Sequence, residues 1–462
     1  MRFLEELRAH PRFRFFLLAG TFSFAAPTAA LVILSNEIVR SYASSGPGAD
    51  FAALALAFLG LSATIPTLGA AVFSGTLADR MNRLRLMRLV TAVCLAALGA
   101  AAVVLYLRSS SLVAAPGKEG FALPVWLLLL FPLWAAMTAA ATIFRPAFNA
   151  SVPKLVPKAS LGRANGLIFA LTVAVGVVSW VAVGPITDTV GPVVALLVPI
   201  VLFAGSLACL SRLTADLEDR PTGSRRSFLS DASEGYRFLV QRRELLAITV
   251  GSLGINFLNA VAFVELPLYA LDYLSGNAAL LGAFYAVGSL GGGVGSLLIG
   301  RTHFERNAGR LIALMIVPMG VTVAVLPLLR SSPLALGDMF LFGLFPGMVQ
   351  TMFLAGVQGT VPNRLLGRVF AADEVGSFGL VPAGQLVGGS VTIAFGLRSA
   401  FLLAGVGTVA IGVALMLVPA VARFRFSAEP VVPPAVGVLA GLPEQLPASP
   451  GINLGEEPPR SF

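Results

Sequence analysis

Acidic side chains within long apolar segments are the residues of this sequence best placed to do chemistry. Glu37, Glu265, Asp338 and Asp373 fall inside or at the ends of such segments, where an ionised carboxylate is costly. A carboxylate removed from water favours its protonated form, so it can load and release a proton when its access to water changes. We predict that Glu265 carries a proton, with the other three acids as further candidates. A hydrogen bond at an outer gate and a surface-facing position are the alternatives for Glu265.

Polar and aromatic side chains recur on the apolar segments numbered one, seven, ten and eleven below. Apolar and aromatic walls with a few polar groups are typical of pockets for small organic molecules. The sequence therefore predicts a substrate cavity, and for each aromatic residue packing or lipid contact is the alternative. The candidate cavity residues are Phe22, Phe24, Asn36, Asn256, Phe257, Asn259, Tyr269, Gln350, Phe353, Gln358 and Gln385.

Long apolar segments must hold these side chains in place. With 56% hydrophobic and 12% charged residues and a mean hydropathy of +0.86, the 462-residue chain has too little polar surface for a soluble protein. A membrane span needs about 20 apolar residues. We therefore predict an all-α integral membrane protein with twelve transmembrane helices. Their approximate positions are 13–39, 51–78, 86–107, 122–147, 164–190, 192–211, 245–272, 277–300, 310–330, 334–358, 368–395 and 398–420.

Basic residues are distributed unevenly between the two ends of these segments. If the amino terminus is cytoplasmic, 27 of the 32 Lys and Arg residues lie on the cytoplasmic side. The five on the outer side are Arg40, Arg108, Lys118, Arg330 and Arg398. This positive-inside asymmetry predicts a multi-pass protein of the cytoplasmic membrane with both termini in the cytoplasm. It also accounts for the net charge of +9 without a nucleic-acid partner.

A repeat relates the two halves of the chain. Val-Pro, followed after three residues by Leu-Gly-Arg, occupies residues 156–163 and recurs at residues 361–368, an offset of 205 residues. The same offset relates Gly184 to Gly389. Two related membrane-embedded halves are the architecture of a secondary transporter, with a substrate site where the halves face each other. We therefore predict two pseudo-symmetric six-helix bundles.

Composition divides the chain into four parts. We predict a first bundle at residues 1–211, a cytoplasmic linker at 212–243, a second bundle at 244–420 and a cytoplasmic tail at 421–462. The Gly-Tyr-Arg-Phe-Leu segment at 235–239 predicts a short amphipathic helix in the linker, lying on the inner membrane surface. The tail carries repeated Pro and Gly and is predicted to be disordered.

The loop after the second span carries a recognisable motif. Residues 75–83 read Gly-Thr-Leu-Ala-Asp-Arg-Met-Asn-Arg, which resembles the signature loop of the major facilitator superfamily. Val-Pro-Lys and Leu-Gly-Arg-Ala-Asn follow the fourth span, and Leu-Gly-Arg-Val-Phe-Ala opens the eleventh. Together these segments resemble the branch that contains macrolide-efflux proteins and enterobactin exporters. The resemblance covers residues 10–420 and implies the major facilitator fold.

The resemblance implies that this loop is a gating latch. In the family, the loop bridges spans two and eleven and holds the inner gate closed. Asp79 would then meet the amino end of span eleven near Arg368, with Arg145 of span four nearby. A carboxylate is favoured at a helix N-terminus and can pair with guanidinium groups such as those of Arg80 and Arg83. A solvated turn that follows the positive-inside bias is the alternative.

The sequence departs from the family's patterns at three places. Asn82 replaces the second Gly of the loop, which is tolerable because Asn accepts left-handed backbone angles. The corresponding loop of the second half, near residues 300–305, lacks the Asp pattern. In span five, the Gly-Pro pair that begins at Gly184 partly matches the glycine-rich motif of antiporters, but Asp188 stands where that motif has Gly. Close helix packing is the alternative explanation for this match.

These observations predict a secondary active transporter that exports hydrophobic or amphipathic small molecules by proton antiport and alternating access. Direction and coupling follow from the resemblance. A siderophore exporter and a lysophospholipid flippase are the alternatives within transport, and a non-transporting membrane sensor or scaffold is the alternative of another class. We expect a monomer without enzymatic activity, metal or cofactor, whose partners are a small-molecule substrate, protons and the lipid bilayer. No Walker motif is present, so ATP is not expected to drive transport.

Overall fold

Twelve long apolar helices make up most of the structure, which is a computed structural model. It describes residues 11–42, 48–109, 124–156, 161–213, 228–300, 308–361 and 363–422. Within these ranges no strand is present, and twelve helices are long and apolar enough to cross a membrane. A helix suits this role because it satisfies its backbone hydrogen bonds within one segment. The predicted all-α membrane fold is confirmed, whereas residues 423–462 of the predicted tail lie outside the described residues.

The spanning helices are numbered α1 to α12 in chain order. The first six are α1 (Pro11–Tyr42), α2 (Gly48–Arg80), α3 (Arg83–Ser109), α4 (Val125–Leu155), α5 (Leu161–Thr189) and α6 (Pro192–Ala195 and Leu197–Ser211). The last six are α7 (Arg243–Phe263, Leu266–Leu268 and a π-helical turn Tyr269–Tyr273), α8 (Ala278–Gly300), α9 (Ala308–Val325 with the 3-10 turn Leu326–Leu328), α10 (Ser332–Thr360), α11 (Asn363–Phe378 and Val381–Phe395) and α12 (Leu397–Leu417).

A shorter helix, Phe228–Gln241, lies between the two bundles in the chain, where the linker helix was predicted. Its position on the inner membrane surface stays a prediction. It packs against the first segment of α11 and against α7, where it buries Leu239 and leaves Tyr236 65% exposed. We call the end of the molecule that carries this helix the linker end and the opposite end the distal end. Helix α1 begins at the linker end and finishes at the distal end.

Proline residues explain the interruptions of α7 and α11. Helix α7 is interrupted after Phe263 and α11 after Phe378, in each case four residues before a proline, Pro267 or Pro382. Proline has no backbone N–H, and its ring clashes with the carbonyl four residues earlier. The interruption therefore falls where the sequence removes a helical hydrogen bond, and in α7 it places Glu265 at a turn.

Two buried apolar cores hold the helices together. The larger core runs through the first bundle and continues into the distal halves of α7, α8, α9, α10 and α12, where it includes Val261, Phe284 and Phe401. The smaller core lies in the linker-end half of the second bundle and includes Ile248 and Ile312. The core that the bundles share is thus in the distal half, and the linker-end half of the second bundle has a core of its own.

Candidate functional site

Helices α2 and α11 form one side of the contact between the bundles. The Nε2 of Gln385 donates a hydrogen bond to the Oγ1 of Thr64 at 3.1 Å. The side chain of Gln385 lies against Gly60, where a Cβ atom would overlap it. Closer to the distal end, Gly389 lies against the first half of α2, near Ala53. Small residues thus let α2 and α11 approach closely from the middle of the membrane to the distal end.

Helices α5 and α8 form a second close contact between the bundles. Gly184 packs against the backbone of Ala279, and Gly282 packs against the carbonyl oxygen of Trp180, so that a Cβ at either glycine would overlap backbone atoms. The rings of Trp180 and Tyr285 lie 6.1 Å apart across the same contact. Two tight helix pairs, α2–α11 and α5–α8, therefore join the bundles.

Glu265 lies at the interruption of α7. Its side chain is 0% exposed, and neither carboxylate oxygen has a hydrogen-bond partner among the described residues. The turn is followed by Leu266–Leu268, which contacts both α1 and α2 of the first bundle. Glu265 is thus a buried acid without a partner in the described part of the chain, at the place where the second bundle meets the first. Burial without a partner is costly for an ionised carboxylate.

Glu37 has a cationic partner. The Nη1 of Arg108 lies 2.8 Å from the Oε2 of Glu37, and the Nη2 of Arg108 donates to the Oγ of Ser41 at 2.6 Å. The guanidinium of Arg108 also lies 4.2 Å from the centroid of the Trp126 ring. These contacts tie α1, α3 and α4 together at the distal end of the first bundle, so Glu37 has a structural task there.

Asp373 has hydroxyl partners within the second bundle. Its Oδ1 accepts hydrogen bonds from the Oγ1 of Thr249 at 2.7 Å and from the Oγ of Ser377 at 3.2 Å. Beside it, the Nδ2 of Asn256 donates to the carbonyl oxygen of Ser377 at 3.0 Å, next to the interruption of α11. Asn256 and Asp373 therefore fix α11 against α7.

Asp338 faces a small cavity inside the second bundle. The cavity is lined by residues of α7, α9, α10 and α12, including Phe263, Thr322 and Phe401. The Oδ2 of Asp338 is buried without a hydrogen-bond partner among the described residues. The structure thus places Asp338 within one bundle, whereas it places Glu265 at the contact between the two.

Three of the predicted cavity amides have unsatisfied polar atoms. Asn36 is 0% exposed, and both polar atoms of its amide are buried without a partner in the described part of the chain. The same holds for the Oδ1 of Asn259 and the Oε1 of Gln385. Buried polar atoms normally have partners. The three amides lie on α1, α7 and α11, so both bundles contribute such atoms.

The structure does not place Tyr269 on a cavity wall. Its side chain is 0% exposed, its hydroxyl donates to the carbonyl oxygens of Leu326 at 2.7 Å and Leu329 at 2.9 Å, and its ring packs against Phe284 and Phe401. All of these partners belong to the second bundle. Tyr269 instead fixes the π-helical end of α7 against α8, α9 and α12.

The remaining predicted cavity residues lie in varied surroundings. Phe22 lies against Gly205 of α6, and Phe353 packs against the linker-end core of the second bundle. The backbone carbonyl of Phe257 faces Gly384 of α11, while Gln350 is exposed. The side chain of Gln358 lies outside the described residues.

The predicted latch is described only in part. The side chains of Asp79, Arg80 and Arg368 lie outside the described residues, although their backbones belong to α2 and α11. Arg83 is buried, and its Nη1 donates to the carbonyl oxygen of Ala150 on α4 at 3.0 Å. Arg145 is exposed, with its guanidinium 5.3 Å from the centroid of the Phe24 ring. Arg83 therefore joins α3 to α4 within the first bundle.

The Phe24 ring belongs to an aromatic cluster of the first bundle. It meets Phe144 edge-on with a centroid separation of 5.7 Å and Phe148 with a separation of 5.3 Å. Phe16 stacks on Phe148 at 4.2 Å. The cluster joins α1 to α4, and the Arg145 guanidinium covers its partly exposed member.

One polar contact between the bundles was not anticipated from the sequence. The carboxylate of Asp188, at the distal end of α5, accepts hydrogen bonds from the backbone N–H groups of Ala278 at 3.1 Å and Ala279 at 3.0 Å, which begin α8. The Nη2 of Arg40 on α1 lies 2.5 Å from the Oδ1 of Asp188. The sequence feature that could have indicated this contact is Asp188 itself, an acid at the end of span five where the antiporter motif has Gly.

Comparison with known proteins places this geometry in context. Residues 15–381 match the family model described as Major Facilitator Superfamily. The chain is 24% identical over 382 residues to the multidrug efflux pump Tap of Mycobacterium tuberculosis, covering 81% of this chain and 87% of that protein. It is 28% identical over 277 residues to the uncharacterised MFS-type transporter y4rN of Sinorhizobium fredii, covering 58% of this chain and 66%, just under two thirds, of that protein.

Solved transporter structures share the fold. A crystal structure of a mutant of the nucleoside transporter NupG aligns with a TM-score of 0.65 at 12% identity, covering 88% of this chain and 99% of that one. A bacterial homologue of the iron transporter ferroportin, in an outward-facing state, aligns with a TM-score of 0.60 at 15% identity, covering 88% and 98%. At these identities the likeness concerns the fold alone.

Proposed function

Because the chain belongs to the major facilitator superfamily, we propose that it exports a hydrophobic or amphipathic small molecule in exchange for protons. Its membership makes it a transporter with two bundles. Export, proton coupling and the class of substrate are the parts that we propose. The similarity to Tap, which is named a multidrug efflux pump, supports export.

The buried carboxylate of Glu265 is the observation that carries the proposal of proton coupling. Neither of its oxygens has a partner among the described residues, and the turn that holds it adjoins α1 and α2 of the other bundle. A change in the contact between the bundles alters the hydration of this acid and hence its preference for a proton. Proton binding is then linked to the facing state, which is what antiport by alternating access requires.

Apolar surroundings with a few free polar atoms support an amphipathic substrate. The buried amides of Asn36, Asn259 and Gln385 offer polar atoms that have no partner in the described part of the chain, on helices of both bundles. Phe24 and Phe257 are partly exposed aromatic residues on α1 and α7. A ligand with a large apolar surface and one or two hydrogen-bonding groups matches such a lining.

The distribution of charge supports the orientation that we propose. The linker end carries most of the basic residues and would lie in the cytoplasm, together with both termini. The shared core and the interbundle hydrogen bonds lie from the middle of the membrane to the distal end. We infer a state that is closed on the outer side, in which substrate would enter from the cytoplasm.

The test is a substrate panel on purified protein in liposomes with an imposed pH gradient. We expect at least one lipophilic compound to accumulate against its concentration gradient, and a protonophore to abolish this accumulation. Facilitated exchange of the same compound without any dependence on the pH gradient would contradict proton coupling. Liposomes without protein control for passive partition into the bilayer.

A further inference from the structure

The distal end of α5 carries a polar contact that joins three helices of the two bundles. Asp188 on α5 accepts from Ala278 and Ala279 of α8, and it pairs with Arg40 of α1 at 2.5 Å. Its side chain is 15% exposed and that of Arg40 is 45% exposed. The carboxylate therefore belongs to the first bundle, whereas two of its three contacts belong to the second.

The contacts of Asp188 complete the N-terminus of α8. The first N–H groups of a helix have no acceptor within the helix. Asn277 supplies one acceptor from its own bundle, since its Oδ1 accepts from the N–H of Leu280 at 3.0 Å. Asp188 supplies the acceptors for Ala278 and Ala279, and a negative charge is also favourable at this end of a helix. When the bundles part here, α8 loses both acceptors.

Tight backbone packing places the carboxylate at this position. Gly184 lies one helical turn before Asp188 and packs against Ala279, so the carboxylate is held directly over the start of α8. The residue related to Asp188 by the 205-residue repeat is Ile393 on α11, which has no polar group. The polar contact is therefore specific to the α5–α8 side and departs from the symmetry of the halves.

We propose that Asp188 holds the two bundles together at the distal end, and we call its contacts with Arg40, Ala278 and Ala279 the clasp. It stabilises the distally closed state by capping α8 and pairing with Arg40, and it must release α8 before the distal side opens. The clasp rests on the proposed alternating access but not on any particular substrate or coupling ion. It also assigns a task to the acid that replaces glycine in the antiporter-like motif.

Distance measurements between the bundles test the clasp. Spin labels would be placed at Val190 and Leu328, which are 60% and 58% exposed at the distal ends of the first and second bundles. The full chain would carry alanine in place of Cys94 and Cys209 and be studied in lipid nanodiscs without substrate. In Asp188→Ala, we expect the ratio of distally closed to distally open molecules to fall about tenfold relative to the parent.

Two further variants make the result interpretable. Asp272→Ala removes an exposed acid at the distal end of the second bundle and should leave the distance distribution unchanged. Asp188→Asn keeps an oxygen acceptor without the charge and should give a smaller shift than Asp188→Ala. The clasp would be overturned if both Asp188 variants gave the same distance distribution as the parent while unfolding at nearly the same temperature. Because no substrate or pH gradient is present, this outcome is separate from a failure of proton-coupled export in liposomes.

Discussion

Gly184 and Gly389, which are 205 residues apart in the repeat, both face the opposite bundle. Gly184 on α5 lies against Ala279 of α8, and Gly389 on α11 lies against Ala53 and Ala57 of α2. The two fits are not equally tight. A Cβ at Gly184 would overlap the backbone of α8, whereas a Cβ at Gly389 would lie 3.1 Å from the Ala57 methyl group. The repeat therefore preserves a small residue on each side of the distal contact.

Alanine substitution at these glycines should have graded effects. Gly184→Ala should destabilise the distally closed state by about 1–3 kcal/mol because backbone atoms must move apart. Gly389→Ala should have a smaller effect because its nearest contact is a methyl group at a longer distance. The distance between spin labels at Val190 and Leu328 would report distal opening.

Gly176→Ala on the same helix provides the matched control, because no atom of a packed neighbour lies within 4 Å of a Cβ at that position. Equal distance distributions in the Gly176 and Gly184 variants would show that close packing at Gly184 does not hold the distal side closed.

The helices could be predicted from hydropathy because a membrane span is defined by length and composition. The predicted span 245–272 corresponds to Arg243–Tyr273, and 164–190 corresponds to Leu161–Thr189. The interruption of α7 was missed, although Pro267 is the sequence signal for it. Hydropathy thus suffices for the number and position of the helices, while an interruption within a helix must be sought at each proline.

The site was harder to predict than the fold. A sequence indicates how far along a membrane span a residue lies, but not which neighbouring helix its side chain contacts. Tyr269 lies on a predicted helix, yet its ring points into its own bundle. Glu37 was a proton-carrier candidate, and only the structure brings Arg108 to it from α3. The contact of Asp188 with α8 depends on how two bundles meet, which no local pattern encodes.

Topology can be tested at two exposed positions. Tyr236 on the linker helix is 65% exposed, and Val190 at the distal end is 60% exposed. Single-cysteine variants would be expressed in cells and treated with a membrane-impermeant maleimide. We expect Val190→Cys to be labelled in intact cells and Tyr236→Cys only after permeabilisation, because the basic linker end should be cytoplasmic. Labelling of Tyr236→Cys in intact cells would overturn the orientation.

The Glu37–Arg108 pair should contribute to stability. Arg108→Met leaves a largely buried carboxylate without its cation, and breaking a buried pair costs roughly 3–5 kcal/mol. Because Arg108 is 24% exposed, we expect the lower end of this range, measured by thermal unfolding in detergent. The double variant with Glu37→Gln should recover part of the loss. Abolished proton-driven transport in Glu37→Gln at parental stability would instead make Glu37 a proton carrier.

The latch implied by the family resemblance predicts a loss of gating in Asp79→Asn. We expect reduced transport and greater accessibility of the linker end, with expression largely unchanged, because the neutral side chain interacts less strongly with a helix N-terminus and with guanidinium groups. Asp50→Asn, in the first turn of the same helix at the distal end, is the control. If the Asp79 variant keeps both its transport rate and its linker-end accessibility, the latch assignment is wrong.

The role of Glu265 predicts that Glu265→Gln uncouples transport from the pH gradient. Glutamine keeps the size and hydrogen-bonding ability of the protonated acid but cannot ionise, so the proton can no longer be released when the facing state changes. Substrate binding and substrate exchange should persist in liposomes, while accumulation driven by the pH gradient is lost. Asp373→Asn is the control, because that acid already has hydroxyl partners and is expected to leave coupling intact. Accumulation at the parental rate in Glu265→Gln would exclude this acid as the carrier and make Asp338, which also has a buried oxygen without a partner among the described residues, the next group to test.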